Sequence, residues 1–320
     1  MTGAPARTTI RRVRKWFVLF AASIITVAAC GARTGLRVDE RQAEADPELD
    51  AGPDVVDAAD APDAIDPFPD VGVVDCQDAG ITYIYLISSE NELLRFYPPD
   101  LSVTKIGTID CPSDSQPFSM AVNRQGVAYV LFASGEIFRV STLTASCKPT
   151  SFFSDPSLFS INFGMGFSSN TADQGETLFI AGADLGNPGA ISTLGTIGLP
   201  KFDLSPIGPL SKPIGNPELT GTGDARLFAF GPGTPDSHLA EIDKATAKVK
   251  SDVLVNLNQS SISAWAFAFW GGEFWFFTSE QTGASVVHRY TPGGTTTPPA
   301  VAQINLTIVG AGVSTCAPSE

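Results

Sequence analysis

Three features of the amino-acid sequence predict an all-β fold from Cys76 onward. Turn formers are abundant, with 30 Gly and 24 Pro in 320 residues. The runs between them are short and rich in β-branched and aromatic residues, including 21 Phe, a composition that suits pleated, half-buried strands. No amphipathic run of helical length breaks this rhythm; the nearest, 238–250 (HLAEIDKATAKVK), reads better as a strand followed by a turn.

The strands repeat. One segment type places a small residue next to an apolar or polar one: Ser119-Met120-Ala121-Val122, Gly164-Met165-Gly166-Phe167, Leu219-Thr220-Gly221-Thr222, Ala266-Phe267-Ala268-Phe269 and Gly310-Ala311-Gly312-Val313. The small positions 121, 166, 221, 268 and 312 are spaced by 45, 55, 47 and 44 residues. An aromatic-rich strand follows each of the first four, at Ala128–Leu131, Leu178–Ala181, Leu227–Phe230 and Phe274–Phe277. A third strand often carries a charge before an apolar residue, as in Arg139-Val140, Glu241-Ile242 and Arg289-Tyr290. A more variable fourth strand follows. Four strands in a period of about 40–45 residues is the pattern of a β-propeller blade. Small residues belong on the innermost strands, which crowd around a central axis.

The fifth copy stops after its first strand. The missing three lie at the other end of the domain, at Ile81–Ile87, Leu93–Phe96 and Val103–Ile109. The sequence therefore predicts about five four-stranded blades, with the ring closed by strands from both ends of the domain. A degenerate blade within 183–215, where the spacing is longest, would make six.

Cysteine usage agrees. Besides Cys30 there are Cys76, Cys111, Cys147 and Cys316, an even set in a chain read as exported. Closure puts Cys316 just after the innermost strand and Cys76 just before its neighbour, so those two should bond. Cys111 and Cys147 then pair by elimination. No pair has CxxC spacing and neither histidine is near, so no metal site is expected.

The first 29 residues read as a signal peptide. Arg7, Arg11, Arg12, Arg14 and Lys15 precede an uncharged run of fourteen residues, Trp16–Ala29. That is shorter than the roughly twenty residues a membrane-spanning helix needs. The run ends Val27-Ala28-Ala29-Cys30-Gly31, which resembles the bacterial lipobox, whose cysteine thiol receives a diacylglycerol before cleavage. Cys30 is thus the expected lipidation site and mature N-terminus. The expected location is the cell envelope, exported and membrane-anchored, at the outer membrane on its periplasmic or surface face, with the lipid bilayer as a partner.

Residues 30–75 form the anchor and a tether. Residues 38–75 hold thirteen acids and one Arg in an Asp/Ala/Pro-rich stretch, for a net charge of −12. Such a composition buries too little apolar surface to offset chain entropy, so an extended, disordered spacer is expected. Residues 76–320 form the propeller domain and carry −9. A domain of that sign is not suited to nucleic acid, which demands clustered Lys/Arg.

The chain resembles lipoproteins encoded in large myxobacterial genomes. The resemblance lies in ACGARTGL (29–36), PFSMAVNRQGVAYVLFASGEIFRV (117–140), AWAFAFWGGEFWFFTS (264–279) and IVGAGVSTCAP (308–318). It also looks distantly like propellers of NHL and WD40 type, without the WD dipeptide. The resemblance implies location and domain organisation and assigns no activity.

Little in the chain points to chemistry. His238 follows a Gly/Pro/Asp loop, His288 sits within a predicted strand, and neither lies by a nucleophile elbow. Gly221-Thr222-Gly223-Asp224 lacks the lysine of a phosphate-binding loop and reads as a turn. No catalytic residue and no cofactor is assigned. The densest feature, Trp265 to Phe277, reads as aromatic packing between blades. Trp270, beside the Gly271-Gly272 turn, is the expected exposed member and candidate ligand contact. Two functions from different classes remain: a binding or scaffolding module for an envelope protein or glycan, or an envelope lyase or glycosidase acting at the central mouth. Converging carboxylates with a basic residue there would favour the enzyme.

Overall fold

The computed structural model describes residues 76, 83–171, 175–183, 190–233, 235–281, 283–294 and 299–319. The signal peptide, Cys30 and the tether lie outside these described residues. The described chain contains twenty strands in five four-stranded antiparallel sheets, arranged as a five-bladed β-propeller.

Blade 1 is composite. Its innermost strand is the last of the chain, β20 (Ile308–Gly312), which pairs with β1 (Ile84–Ser88), followed outward by β2 (Glu92–Tyr97) and β3 (Ser102–Thr108). Blade 2 is β4 (Pro117–Val122) to β7 (Cys147–Phe153), through β5 (Val127–Phe132) and β6 (Glu136–Ser141). Blade 3 runs from β8 (Gly164–Ser169) through β9 (Glu176–Gly182) and β10 (Thr193–Gly198) to β11 (Asp203–Pro209). Blade 4 comprises β12 (Glu218–Gly221), β13 (Leu227–Gly231), β14 (Ser237–Ile242) and β15 (Val249–Val255). Blade 5 comprises β16 (Ala264–Trp270), β17 (Glu273–Ser279), β18 (Ser285–Tyr290) and β19 (Ala300–Ile304). The stretch 183–215 supplies the third and fourth strands of blade 3, so the blade count is five and not six.

Five apolar clusters fill the five gaps between blades. The one between blades 5 and 1 joins Trp275 and Phe277 to Ile84, Leu86 and Phe96. Phe96 meets Trp275 edge-on at 5.3 Å and Phe277 at 5.5 Å between ring centroids. This cluster seals the ring with residues from both ends of the domain. Aromatic pairs of this geometry add to the burial of their area.

The charge-before-apolar rhythm of the third strands is one half of a cross-strand pair. Tyr85 stands opposite Arg95, Tyr129 opposite Arg139, Phe228 opposite Glu241 and Trp275 opposite Arg289. Tyr129, Phe228 and Trp275 are buried, and the Arg289 guanidinium lies over the Trp275 ring, 5.9 Å from its centroid.

Pairing also corrects one position of the repeat. Ala121, Gly166, Ala268 and Gly312 each stand opposite the aromatic of the second strand, namely Tyr129, Phe179, Trp275 and Tyr85. In blade 4 the residue opposite Phe228 is Thr220, and Gly221 pairs with Leu227. The apparent small residue in that copy is one place late. Thr220 is accommodated because its Oγ1 accepts the Phe269 N–H of the next blade at 3.2 Å.

Both disulfides form. Cys76 bonds Cys316 with Cα atoms 5.2 Å apart across 240 positions, and Cys111 bonds Cys147 at 5.3 Å. Both separations suit an unforced bridge. The second ties the connection leaving blade 1 to the outer strand of blade 2.

Candidate functional site

The first strands of all blades run the same way along the central axis, so the domain has two ends. The upper end is where these strands begin, and the lower end is where they finish.

The lower end is tied shut by polar contacts. Arg124, just past β4, donates its amide N–H to Glu176 Oε1 at 2.7 Å, its Nε to Thr315 Oγ1 at 2.8 Å and its Nη2 to Ser169 Oγ at 2.6 Å. Thr315 Oγ1 donates to Glu176 Oε2 at 2.9 Å. Lys244 Nζ reaches the Ser169 carbonyl at 2.6 Å and Ser168 Oγ at 3.1 Å. These groups come from blades 1, 2, 3 and 4. Burial pushes the Glu176 carboxyl up, opposed by hydrogen bonds from Arg124 and Thr315, and burial pulls the Lys244 ammonium down. Each partner serves another, which marks this network as a structural lock.

The upper end is open. A cavity of about 240 Å³ is lined by residues including Pro117, Phe118, Asn216, Glu218, Trp265 and Val309. They come from the first strands of four blades and the connections leading into them. At its floor lies Glu218, whose residue surface is 4% exposed. By strand register Glu218 is equivalent to Ser119, Gly164, Ala266 and Gly310 in the other blades. Four of the five positions in this layer are small, and the fifth side chain occupies the space they leave. Ser119 Oγ donates to Glu218 Oε2 at 2.8 Å and accepts the Met165 N–H at 3.1 Å. Blades 2, 3 and 4 are joined through this one hydroxyl.

Burial pushes the Glu218 carboxyl well above the usual carboxylate range, opposed by hydrogen bonds from Ser119 and the Met165 amide. A raised carboxyl stabilises the fold below its unfolded value, and that stabilisation is lost as pH rises toward the folded value. Wild-type stability should therefore decline as pH rises above the ordinary value of 4.5. In Glu218→Gln that component of the slope should vanish. Thermal unfolding of both proteins across this range checks it, and parallel curves would refute the assignment.

A second, larger cleft of about 640 Å³ lies in blade 3, lined by Pro156–Asn162 and by Gly182, Ala183, Ala190, Ile191 and Thr193. Its described lining holds no ionisable side chain.

Trp270 lies at the lower end of β16, half-buried. Its ring meets Tyr97 edge-on at 6.3 Å and its carbonyl accepts the Trp275 indole N–H at 3.4 Å. The tryptophan that lines the upper cavity is Trp265, at the other end of the same strand. His238 Nδ1 lies 2.9 Å from Asp252 Oδ1 at the periphery, and His288 is buried within β18. Neither lines the described cavity.

No protein-family profile and no curated protein sequence matches this chain. Among solved structures it is similar to a chain of "Crystal structure of Nidogen/Laminin Complex", at 10% identity and a TM-score of 0.45, covering 75% of this chain and 99% of that one. It is also similar to "Bacteroides ovatus Xyloglucan PUL GH43B", at 17% identity and a TM-score of 0.43, over 58% of this chain and 40% of that one. A third is "Structure of Dos1 propeller", at 11% identity and a TM-score of 0.37, over 67% and 56%. Likeness this distant transfers no residue role and no ligand.

Proposed function

We propose that this protein is an exported lipoprotein, held at an envelope membrane through Cys30, whose propeller binds a ligand or partner at the upper end of its channel. The observation that carries the reading is the upper cavity, in which Phe118, Trp265 and Val309 line the same space as one buried carboxyl. Concave, mostly apolar sites with a few placed polar groups are the usual form of a binding pocket. Hydrolysis of a glycoside calls for two carboxyls facing one bond across about 5–9.5 Å. Here the buried Glu218 and the half-buried Glu176 stand at opposite ends of the channel, Glu218 at the start of β12 and Glu176 at the lower end of β9.

Tryptophan fluorescence of the full chain, titrated with envelope-protein peptides and with peptidoglycan fragments, tests the site. A ligand is expected to perturb the emission, and Trp265→Ala should weaken its binding by about 2 kcal/mol, as loss of an aromatic anchor does. Binding that is indifferent to Trp265→Ala would move the site elsewhere.

The anchor has its own test. Two acyl chains give stable membrane attachment where one does not. Mass spectrometry of the protein from envelopes should show an acylated N-terminal Cys30, and Cys30→Ser should release the protein or leave it unprocessed. An intact mass retaining residues 1–29 would refute it.

A further inference from the structure

The charge of the domain is divided between its two ends. Among the described residues, the connections at the upper end carry Glu90, Asp110, Asp114, Asp155, Asp236 and Glu280, against the single base Lys212. Those at the lower end carry five bases, Arg124, Lys201, Arg226, Lys244 and Lys248, against three acids, Asp100, Asp224 and Asp243. The acidity of the upper end is therefore not a sample of the whole domain. It belongs to the end that carries the cavity lined by Glu218, Phe118 and Trp265.

We infer that the upper cavity takes a lysine side chain from an extended segment of a partner envelope protein, with its ammonium group meeting Glu218. This rests on the reading that the cavity is the ligand site, and it names the chemistry recognised there. The acidic rim draws a cationic segment toward the mouth. Apolar walls suit the four-carbon stem of lysine, and aromatic faces favour a cation. At the floor, the incoming ammonium supplies the positive partner that Glu218 lacks. The groups facing Glu218 from the packed strands are neutral, the Ser119 hydroxyl from β4 and the Met165 amide from β8.

The cavity is small, about 240 Å³, which suits the compact ammonium of lysine: it needs one carboxyl oxygen, whereas a planar guanidinium is best met by both. The exchange balances simply. Wherever the carboxyl of the free protein is protonated, it loses that proton to solvent on binding, the lysine stays an ammonium ion, and an ion pair replaces a neutral acid. No covalent bond between protein and ligand is made. Binding should therefore release a proton and strengthen as pH rises.

The test is calorimetric titration of the full chain with three blocked pentapeptides, acetyl-Gly-Ala-X-Ala-Gly-amide. X is lysine, its neutral isostere norleucine, or Nε-acetyl-lysine. The lysine peptide should bind at least about tenfold tighter than either neutral peptide, the worth of one charge-assisted contact. The heat, compared across buffers of different ionisation enthalpy, should report proton release that diminishes as pH rises. Affinity should rise as pH increases above 4.5, the ordinary value of the carboxyl. Glu218→Gln should abolish both the preference and the proton release. The wild-type comparison of lysine with acetyl-lysine needs no variant and stands even if that variant folds poorly. Equal binding of the three peptides overturns the inference and leaves the cavity as a binding site. A lysine preference that survives in folded Glu218→Gln also overturns it, by assigning the preference to the rim. No binding of any of the three overturns it too, and the Trp265 fluorescence titration then decides separately whether the cavity is a site at all.

Discussion

Cys316→Ser is expected to lower the stability of the domain by about 2–5 kcal/mol. The bond it removes spans 240 positions, and a cross-link closing so long a loop takes the most freedom from the unfolded chain. The native side of the effect is local. In blade 1, β20 is hydrogen-bonded to β1 along Tyr85–Ser88, and no short turn links them, because they come from opposite ends of the domain. Without the bridge, β20 is held by that pairing, by the apolar cluster with Trp275 and Phe96 and by its approach to β4, where a side chain on Gly310 would meet the Met120 amide nitrogen at 2.7 Å. Amide exchange should accelerate first in Ile308–Gly312 and Ile84–Ser88, before the rest of the ring. Denaturant unfolding of the oxidised wild type and the variant gives the magnitude. Unchanged stability would mean that the two ends of the domain do not depend on each other. Cys147→Ser, which opens a bond spanning 36 positions, should cost less, because loop-closure entropy grows with the logarithm of length.

That closure was legible in the sequence because two independent patterns met there. The last small-residue copy, Gly310-Ala311-Gly312, lacks its outer strands, and three strands near Cys76 lack an inner one. The two disulfides follow from the same geometry. The aromatic-rich second strands are equally plain, since each is continuously buried and packs between blades. Blade 3 is less plain. Its third and fourth strands read TLGTIG and DLSPIGP, with glycine and proline where strand formers are expected, so the long spacing there looks like room for another blade.

The site was hidden for a different reason. In blade 4 the glycine of Leu219-Thr220-Gly221 draws the eye to the wrong place, and a one-residue slip exchanges the two faces of a strand. With the register set by Thr220 opposite Phe228, Glu218 falls into line with Ser119, Gly164, Ala266 and Gly310. An acid in a layer of small residues is then the anomaly that marks the channel. Trp265 is concealed for another reason: its value depends on which end of the channel carries the open cavity. Trp270 is conspicuous beside Gly271-Gly272, but it sits at the other end of β16.

Gly164→Ala should cost about 3 kcal/mol, the upper part of the range for overpacking a core, although it adds one methyl group. The added carbon would lie 2.2 Å from the Pro217 carbonyl oxygen and 2.5 Å from the Glu218 Cα. Both are backbone atoms, so no rotamer change can relieve the contact, and the first strands of blades 3 and 4 must separate. The same interface is tight further down, where a side chain on Gly221 would meet the Phe167 carbonyl oxygen at 2.1 Å. β8 and β12 are therefore in backbone contact at both ends, and movement at one cannot be absorbed at the other. Gly198→Ala is the control. It also lies in a strand of blade 3, but its nearest neighbour would be the Asp203 carbonyl oxygen at 3.7 Å, ordinary contact, and its effect should stay within about 0.5 kcal/mol. Stability and function should fall together in Gly164→Ala, because displacing the Glu218 backbone pulls its carboxyl away from Ser119. The pH-dependent decline assigned to Glu218 should then weaken in whatever folded protein remains, as water reaches the carboxyl and restores its ordinary titration. If Gly164→Ala is as stable as Gly198→Ala and keeps the wild-type pH slope, the first strands do not pack backbone to backbone, and Glu218 is not held where the channel narrows.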